Sequence, residues 1–126
     1  MKAARAGGVQ GSVTSIDQET ELLKRVAAGD GEAFAELFTR IAPRVLGFLV
    51  RLMRRRSLAE EALQETFLQI WLRAEAYRPD LGSPLYWALK IARSRGIDLL
   101  RREISRRRRR DGFGHLSTTQ RACLAE

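Results

Sequence analysis

Apolar residues recur at three- and four-residue spacing along most of this chain, which predicts a series of amphipathic helices. The first begins at a capping box, Ser15 to Gln18, and ends near Ala28 before a Gly-Asp-Gly turn. The second contains Pro43, which is expected to kink it, and ends in Arg54-Arg55-Arg56. Residues 1–14 are rich in Gly, Ala, Ser and Gln, and predict a disordered tail.

Two further helices follow, separated by a short turn. A second capping box, Ser57 to Glu60, starts a helix that runs to about Ala76. After a turn from Tyr77 to Gly82, Ser83 and Pro84 form an N-cap with proline at the first helical position, and this helix continues through Arg102. No strand pattern occurs. The sequence therefore predicts an all-α, compact bundle of about four helices over residues 15–104, followed by an arginine-rich linker and disordered tail over residues 105–126.

The third helix has two different faces. At about 100° per residue, one side is apolar and predicts the core; it carries Ala59, Leu63, Thr66, Phe67, Ile70 and Ala74. The other side mixes leucine with carboxylates and glutamine, and carries Glu61, Gln64, Glu65, Leu68 and Leu72, with Trp71 at the border. Such a stripe is either a solvated face with stray leucines or a docking surface for a partner with apolar contacts framed by basic residues. The pattern alone leaves both open.

The fourth helix has a buried stripe that includes Gly96, where close packing against a neighbouring helix is expected. Its other surface is basic and aromatic, and carries Tyr86, Trp87, Lys90, Arg93, Ser94, Ile97 and Arg101. Lysine and arginine neutralise phosphates, and exposed aromatic rings stack on unpaired bases. The surface is therefore either a site for a nucleic-acid strand outside the duplex or a solvated basic face. The turn from Tyr77 to Ser83 lies beside this helix N-terminus, where backbone N–H groups receive phosphates or base edges.

Composition narrows the functional classes. The 126 residues suit one domain, and the net charge of +8 is concentrated between Arg101 and Arg110, which hold seven arginines and one glutamate. A single cysteine, with no evident signal peptide or membrane-length apolar run, predicts a cytoplasmic protein without an internal disulfide. The one histidine, His115, lies in a polar tail, and no metal-ligand, phosphate-loop or nucleophile set occurs. We therefore expect no enzyme, no cofactor and no small-molecule substrate.

Two segments carry a family resemblance. AEEALQETFLQIW, from Ala59 to Trp71, and WALKIARSRGIDLLRR, from Trp87 to Arg102, flank a turn containing Gly82-Ser83. Together they resemble region 2 of bacterial sigma factors, most closely the extracytoplasmic-function (group 4) type, over about Leu22 to Arg102. The resemblance implies a promoter-specificity subunit of RNA polymerase, and an anti-sigma factor as a possible further partner.

The resemblance also implies roles for individual residues. Docking on the clamp helices of the largest catalytic subunit of core RNA polymerase would fall on Glu61, Gln64, Glu65, Leu68 and Trp71. Contact with promoter DNA, at the minus-ten non-template strand and its flipped base, would fall on the turn and the fourth helix: Tyr77, Arg78, Ser83, Tyr86, Trp87, Lys90, Arg93, Ser94, Ile97 and Arg101. Two features depart from the family pattern. The arginine run Arg106–Arg110 is not part of its motif, and too few residues follow for region 4. The alternative interpretation is a non-sigma helical DNA- or RNA-binding module that uses the arginine-rich arm.

Overall fold

The computed structural model of the protein describes residues 11–111, which form four α-helices and two short 3₁₀ turns without any strand. The α-helices are α1 (Gly11–Ala27), α2 (Gly31–Met53), α3 (Arg56–Arg73) and α4 (Pro84–Asp111). The 3₁₀ turns, Ala74–Ala76 and Pro79–Leu81, connect α3 to α4. The predicted all-α bundle is confirmed. No helix in this part of the chain is both long enough and apolar enough to cross a bilayer.

The short segment between α1 and α2 contains signals that end the first helix and begin the second. Gly29 takes a positive φ of 92°, which ends α1 at little steric cost. Asp30 then caps α2, because its carboxylate accepts hydrogen bonds from the backbone N–H groups of Glu32 and Ala33 at 3.0 and 3.1 Å. The sequence pattern predicts the end of α1 but not this cap of α2. The predicted start of the first helix at Ser15 is wrong by four residues, and residues 1–10 lie outside the described part.

The predicted capping box at Ser57 is also wrong. Arg54 closes α2 in the left-handed conformation, with φ 64°, and its N–H donates to the carbonyl of Val50 at 2.8 Å. This tight stop leaves only Arg54 and Arg55 between the helices, so α3 begins at Arg56 and Ser57 lies inside its first turn. Glu60 then pairs with Arg56 at 3.0 Å rather than returning to a cap.

The core is formed by apolar side chains from all four α-helices, and α2 packs against each of the other three. α2 runs without a break through Pro43. Gly96 of α4 faces α2 closely, because a Cβ atom at this position would lie 3.1 Å from the side chains of both Leu49 and Leu52. The close packing predicted for this glycine is confirmed, and it fixes α4 against the core.

α4 is longer than predicted. It extends through Asp111, so residues 105–111, which we had assigned to a linker, form its last two turns. At its other end the predicted cap is confirmed: the Ser83 hydroxyl accepts a hydrogen bond from the N–H of Tyr86 at 3.2 Å, and Pro84 is the first helical residue. Residues 112–126 lie outside the described part of the chain.

Candidate nucleic-acid interface and protein-docking face

The outer side of α3 leaves large apolar side chains in solvent. Leu68 is 55% exposed, Leu72 63% and Trp71 38%, while the opposite side of the helix is buried. Glu61 and Gln64 are also exposed. The predicted division of α3 into two faces is therefore confirmed. We call the surface formed by Glu61, Gln64, Glu65, Leu68 and Trp71 the docking face.

Glu65 differs from the other members of the docking face because it is bound to α4. Both of its carboxylate oxygens accept from the Arg102 guanidinium, at 3.3 and 3.4 Å, and its side chain is only 30% exposed. The sequence pattern did not reveal this pair, since the two residues are far apart in the chain and meet only when α3 packs on α4. The docking face thus borders the basic surface of α4.

Trp71 is held in place by an aromatic cluster shared between α2 and α3. Its ring meets that of Phe34 edge to face at 5.3 Å, and Phe67 meets Phe34 and Phe38 at 6.1 and 4.7 Å. Phe38 is 40% exposed, so it extends the apolar surface beside the docking face onto α2. Periodicity alone would place Phe38 among the core residues of α2, because it gives no sign of the nearby edge.

A cavity of about 280 Å³ lies where the turn after α3 meets the first turns of α4. It brings together six of the residues predicted to contact DNA: Tyr77, Arg78, Tyr86, Trp87, Lys90 and Ser94. Arg73 and Leu81 also line it, although neither was predicted as a contact residue. Leu81 belongs to the turn that was expected beside α4, whereas Arg73 comes from the end of α3, where no local pattern marks it as a neighbour of α4. We call this site the base cavity.

Tyr77 and Trp87 form the frame of the base cavity. Their rings meet edge to face at 5.4 Å, and both side chains are half-buried. The Tyr77 hydroxyl donates a hydrogen bond to the carbonyl of Gly82 at 2.6 Å and so closes the turn. Burial raises the pKa of Tyr77 above its usual 10.0, and a side-chain hydrogen bond with Thr20 lowers it by less. This hydroxyl therefore keeps its proton. Trp87 was predicted to lie on the exposed surface but is partly packed into the protein.

Tyr86 presents the exposed ring of the cavity. It is 53% exposed, and the Lys90 ammonium lies 5.2 Å from its ring centroid. The ring covers Gly82, where an added Cβ would lie 2.6 Å from it and where φ is +138°. Glycine is therefore required here both for its conformation and for the space it leaves to Tyr86.

Two other predicted residues of the turn already have intramolecular partners. The Ser83 oxygen accepts the capping hydrogen bond of α4, and the Arg78 guanidinium pairs with Asp80 at 2.9 Å. Arg78 remains exposed and lines the cavity, so this surface pair leaves it accessible to a phosphate.

The flank of α4 beyond the base cavity forms a basic groove of about 370 Å³. Its lining includes the predicted residues Lys90, Arg93, Ser94 and Arg101. Ile97 lies in the same groove but is only 7% exposed, so the expectation that it lies on the exposed surface is wrong, while its contact with DNA stays a prediction. Arg93 and Arg101 lie one turn before and after it, and the aliphatic stems of such side chains cover apolar neighbours while their charged ends stay in water.

Between residues 11 and 111, no group of three or more His, Cys, Asp or Glu side chains could hold a metal ion. The base cavity and the basic groove share Lys90 and Ser94, so they form one continuous surface of rings and cations along α4. This surface suits an unpaired nucleic-acid strand, and the docking face suits a protein.

Comparison with known proteins agrees with this geometry. The family model described as Sigma-70 region 2 matches residues 37–109, which include α3, the base cavity and most of α4. The chain is 38% identical over 96 residues to an ECF RNA polymerase sigma factor SigK of Mycobacterium sp. (strain KMS), covering 76% of this chain and 50% of that protein. It is 35% identical over 98 residues to the SigK of Mycobacterium ulcerans (strain Agy99), covering 78% and 52%.

A third relative, the SigK of Mycobacterium tuberculosis (strain ATCC 25177 / H37Ra), is 37% identical over 93 residues, covering 74% of this chain and 50% of that protein. The chain thus spans about half the length of the curated relatives it matches. The family match covers the two segments that carried the resemblance, and the helices it spans have the expected order. The chain therefore belongs to the sigma-70 family and carries its region 2.

Proposed function

We propose that this chain binds core RNA polymerase through the docking face and holds the minus-ten non-template strand of promoter DNA in the base cavity and basic groove. The role is one of binding, without a catalysed reaction. Because promoters and polymerase share the bacterial cytoplasm, the protein is expected to act there. The observation that carries the proposal is the base cavity, since it gathers aromatic rings, cations and a closed turn at one place.

The chemistry of the base cavity suits one unpaired base. At about 280 Å³ it lies just below the range of about 300–1,000 Å³ typical of drug-sized ligands, so a single base is a better match than a larger molecule. Tyr86 offers an exposed ring face for stacking, and Arg73, Arg78 and Lys90 surround it with positive charge. A base held there has left the duplex, because a base inside the helical stack cannot present its face to a side chain.

The apolar and acidic side chains of the docking face indicate which kind of partner surface would bind it. Leu68 and Trp71 supply apolar area that water solvates poorly, and Glu61 adds negative charge at the edge. A complementary surface therefore has apolar contacts framed by arginine or lysine. The family resemblance supports the clamp helices of the largest polymerase subunit as that surface.

Strand capture is tested by removing the exposed ring. Tyr86→Ala should weaken binding of a labelled minus-ten single strand by about 5- to 150-fold, since stacking on an aromatic side chain contributes about 1–3 kcal/mol per base. Fluorescence anisotropy would be measured with the free chain and with the chain bound to core polymerase. Tyr86→Phe keeps the ring and should keep the affinity. Wild-type affinity in Tyr86→Ala, or an equal loss on intact duplex, would contradict the mechanism.

Polymerase docking is tested at Leu68, which is exposed and makes no hydrogen bond through its side chain. Leu68→Glu should reduce affinity for core polymerase at least tenfold, because a charge is placed at the centre of an apolar contact. The readout is a titration of labelled chain with core polymerase. Ile16→Glu is the matched control, since Ile16 is 43% exposed on a different helix, α1. Unchanged binding by Leu68→Glu would exclude this face as the docking surface.

A further inference from the structure

The last turns of α4 carry five consecutive arginines, Arg106–Arg110, which the proposed function does not use. We call them the arginine collar. All five are exposed, and they lie on a regular helix rather than in a linker. Because an α-helix turns about 100° per residue, five consecutive side chains leave the axis in all directions. The collar is therefore a cylinder of positive charge rather than a one-sided stripe.

One carboxylate partly balances the base of the collar. Glu103 accepts contacts from Arg106 at 3.1 Å and Arg107 at 3.6 Å, and also from Arg55 at 3.3 Å. Desolvation by itself raises the pKa of Glu103, but the hydrogen bond from Arg55 and the charges of these arginines outweigh it and lower the pKa. Glu103 is thus ionised, yet residues 101–110 still carry seven arginines against this single acid.

The collar continues into a basic groove of about 480 Å³ where α4 meets the start of α3. Four arginines line it, Arg101, Arg102, Arg106 and Arg109, with Glu61 as the acidic residue of its lining. Arg101 also belongs to the basic groove beside the base cavity. From Lys90 to Arg109 this line of cations extends for about 28 Å at the α-helical rise, which equals about eight base pairs of duplex.

We propose that the arginine collar binds double-stranded DNA through its phosphates, without reading base sequence. A helix of about 10–12 Å diameter fits the major groove, which is about 12 Å wide, and only side chains on opposite sides of the helix reach the phosphates of both groove walls. Guanidinium groups bind phosphate oxygens in bidentate pairs. This site is separate from the base cavity and does not depend on the proposed strand capture.

The same geometry argues against a lipid surface. A helix that lies on a membrane needs an apolar face beside its basic one. The segment from Ser105 to Arg110 has no apolar residue on any side. An acidic protein surface would contact one side of the collar and leave the opposite arginines without a partner. A ligand with negative charge on two sides, as a duplex groove has, matches the collar better.

The test is the salt dependence of duplex binding by the full 126-residue chain. A labelled 20-base-pair G·C-rich duplex, lacking a minus-ten element, would be titrated by fluorescence anisotropy at several salt concentrations. The triple variant Arg106→Gln, Arg108→Gln and Arg109→Gln should lower the slope of log affinity against log salt by about 2–3, since each phosphate contact contributes about 0.9. Affinity at about 0.1 M salt should fall at least tenfold, with helicity by circular dichroism retained.

Two controls separate the collar from net charge and from folding. Lys24→Gln, Arg44→Gln and Arg51→Gln together remove three exposed positive charges from α1 and α2 and should leave the slope nearly unchanged. Replacing the same three collar arginines by lysine keeps the charge and should keep most of the slope. An unchanged slope in the collar variant, or an equal loss in the α1–α2 control, would overturn the proposal. So would collar-dependent binding of vesicles containing anionic lipid without any effect on duplex binding.

Discussion

Gly82 and Gly96 are important for different structural reasons. At Gly82 the backbone takes a positive φ, and the ring of Tyr86 covers the place of the missing side chain. At Gly96 the backbone is ordinary helix, and the missing side chain instead lets α4 approach Leu49 and Leu52 of α2. The first glycine shapes the base cavity, and the second sets the distance between α4 and the core.

A paired substitution tests the role of Gly96. Gly96→Val should lower the free energy of unfolding by about 1–3 kcal/mol, because its methyl groups must displace the two leucine side chains. Gly47→Val is the control: a Cβ at Gly47 meets nothing within 4 Å, so this change should be neutral or slightly stabilising. Urea unfolding followed by circular dichroism measures both. Equal effects of the two substitutions would show that packing at Gly96 is not close.

Asp30 predicts a pH dependence at the start of α2. Its pKa lies below the usual 3.8, chiefly because its carboxylate accepts from the N–H of Ala33 and from the Arg25 side chain. The folded state thus holds the ionised form more strongly than the unfolded state does. Its contribution is complete above about pH 4 and is lost as pH falls through the lowered pKa.

Asp30→Asn checks this dependence, because asparagine caps helices well but does not titrate. The variant should be less stable than the wild type near pH 7, since it lacks the Arg25 pair. The difference in urea midpoint between the two proteins should shrink as the pH is lowered from 5 towards 2.5. A constant difference over this range would mean that Asp30 does not titrate with folding.

At the scale of elements, Glu103 ties the end of α4 to the turn between α2 and α3. Its carboxylate contacts Arg55 in that turn and two arginines of the collar. The same contact explains how α4 continues beyond the predicted end at Arg102, because one acid relieves part of the repulsion among neighbouring arginines. The sequence gives the number of these charges, but it does not show which of them form ion pairs.

Glu103→Gln should therefore have two opposite effects. The free energy of unfolding should fall by about 1 kcal/mol or less, and the loss should diminish in high salt, because partly exposed ion pairs are screened. Duplex DNA affinity should rise, with a steeper salt slope, since Arg106 and Arg107 are released towards phosphate. Ser105→Gln is a suitable control, because Ser105 is exposed. Ile104→Gln is unsuitable, because Ile104 is half-buried. Weaker duplex binding by Glu103→Gln would contradict the assigned role of the collar.

At the scale of the whole molecule, the two proposed binding surfaces lie mainly on different helices of one small core. The docking face belongs to α3, and the base cavity is lined mainly by the turn and α4, with Arg73 from the end of α3. The pair of Glu65 with Arg102 connects the docking face to a part of α4 outside the base cavity, and Leu68 and Tyr86 take no part in it. We therefore expect the two surfaces to be altered independently.

The corresponding prediction is a separation of functions. Leu68→Glu should lose polymerase binding while the free chain keeps its affinity for single-stranded DNA, and Tyr86→Ala should show the reverse. In the double variant each binding free energy should match that of the corresponding single variant within about 0.5 kcal/mol, as for sites without shared partners. Polymerase titrations and strand-binding anisotropy on the same four proteins measure this. Strong non-additivity would indicate that the surfaces are coupled through the core.

Much of the architecture could be predicted from periodicity, because a buried stripe at helical spacing is a local property of the chain. The four helices, the exposed leucines of α3 and the cap at Ser83 were predicted in this way and are confirmed. Helix starts were less predictable. Ser57 and Glu60 fit a capping box, but the left-handed Arg54 ends α2 so early that α3 begins before Ser57.

The fold class, the two faces of α3 and the family could be inferred from the order of residues, since these depend on residue type and spacing. Which residues meet across helices follows only from the packing of the helices. This packing pairs Glu65 with Arg102, buries Ile97 and adds Arg73 and Leu81 to the base cavity. The physical reason is that burial and ion pairing depend on the distance between side chains on different helices, and the order of residues along the chain does not specify that distance.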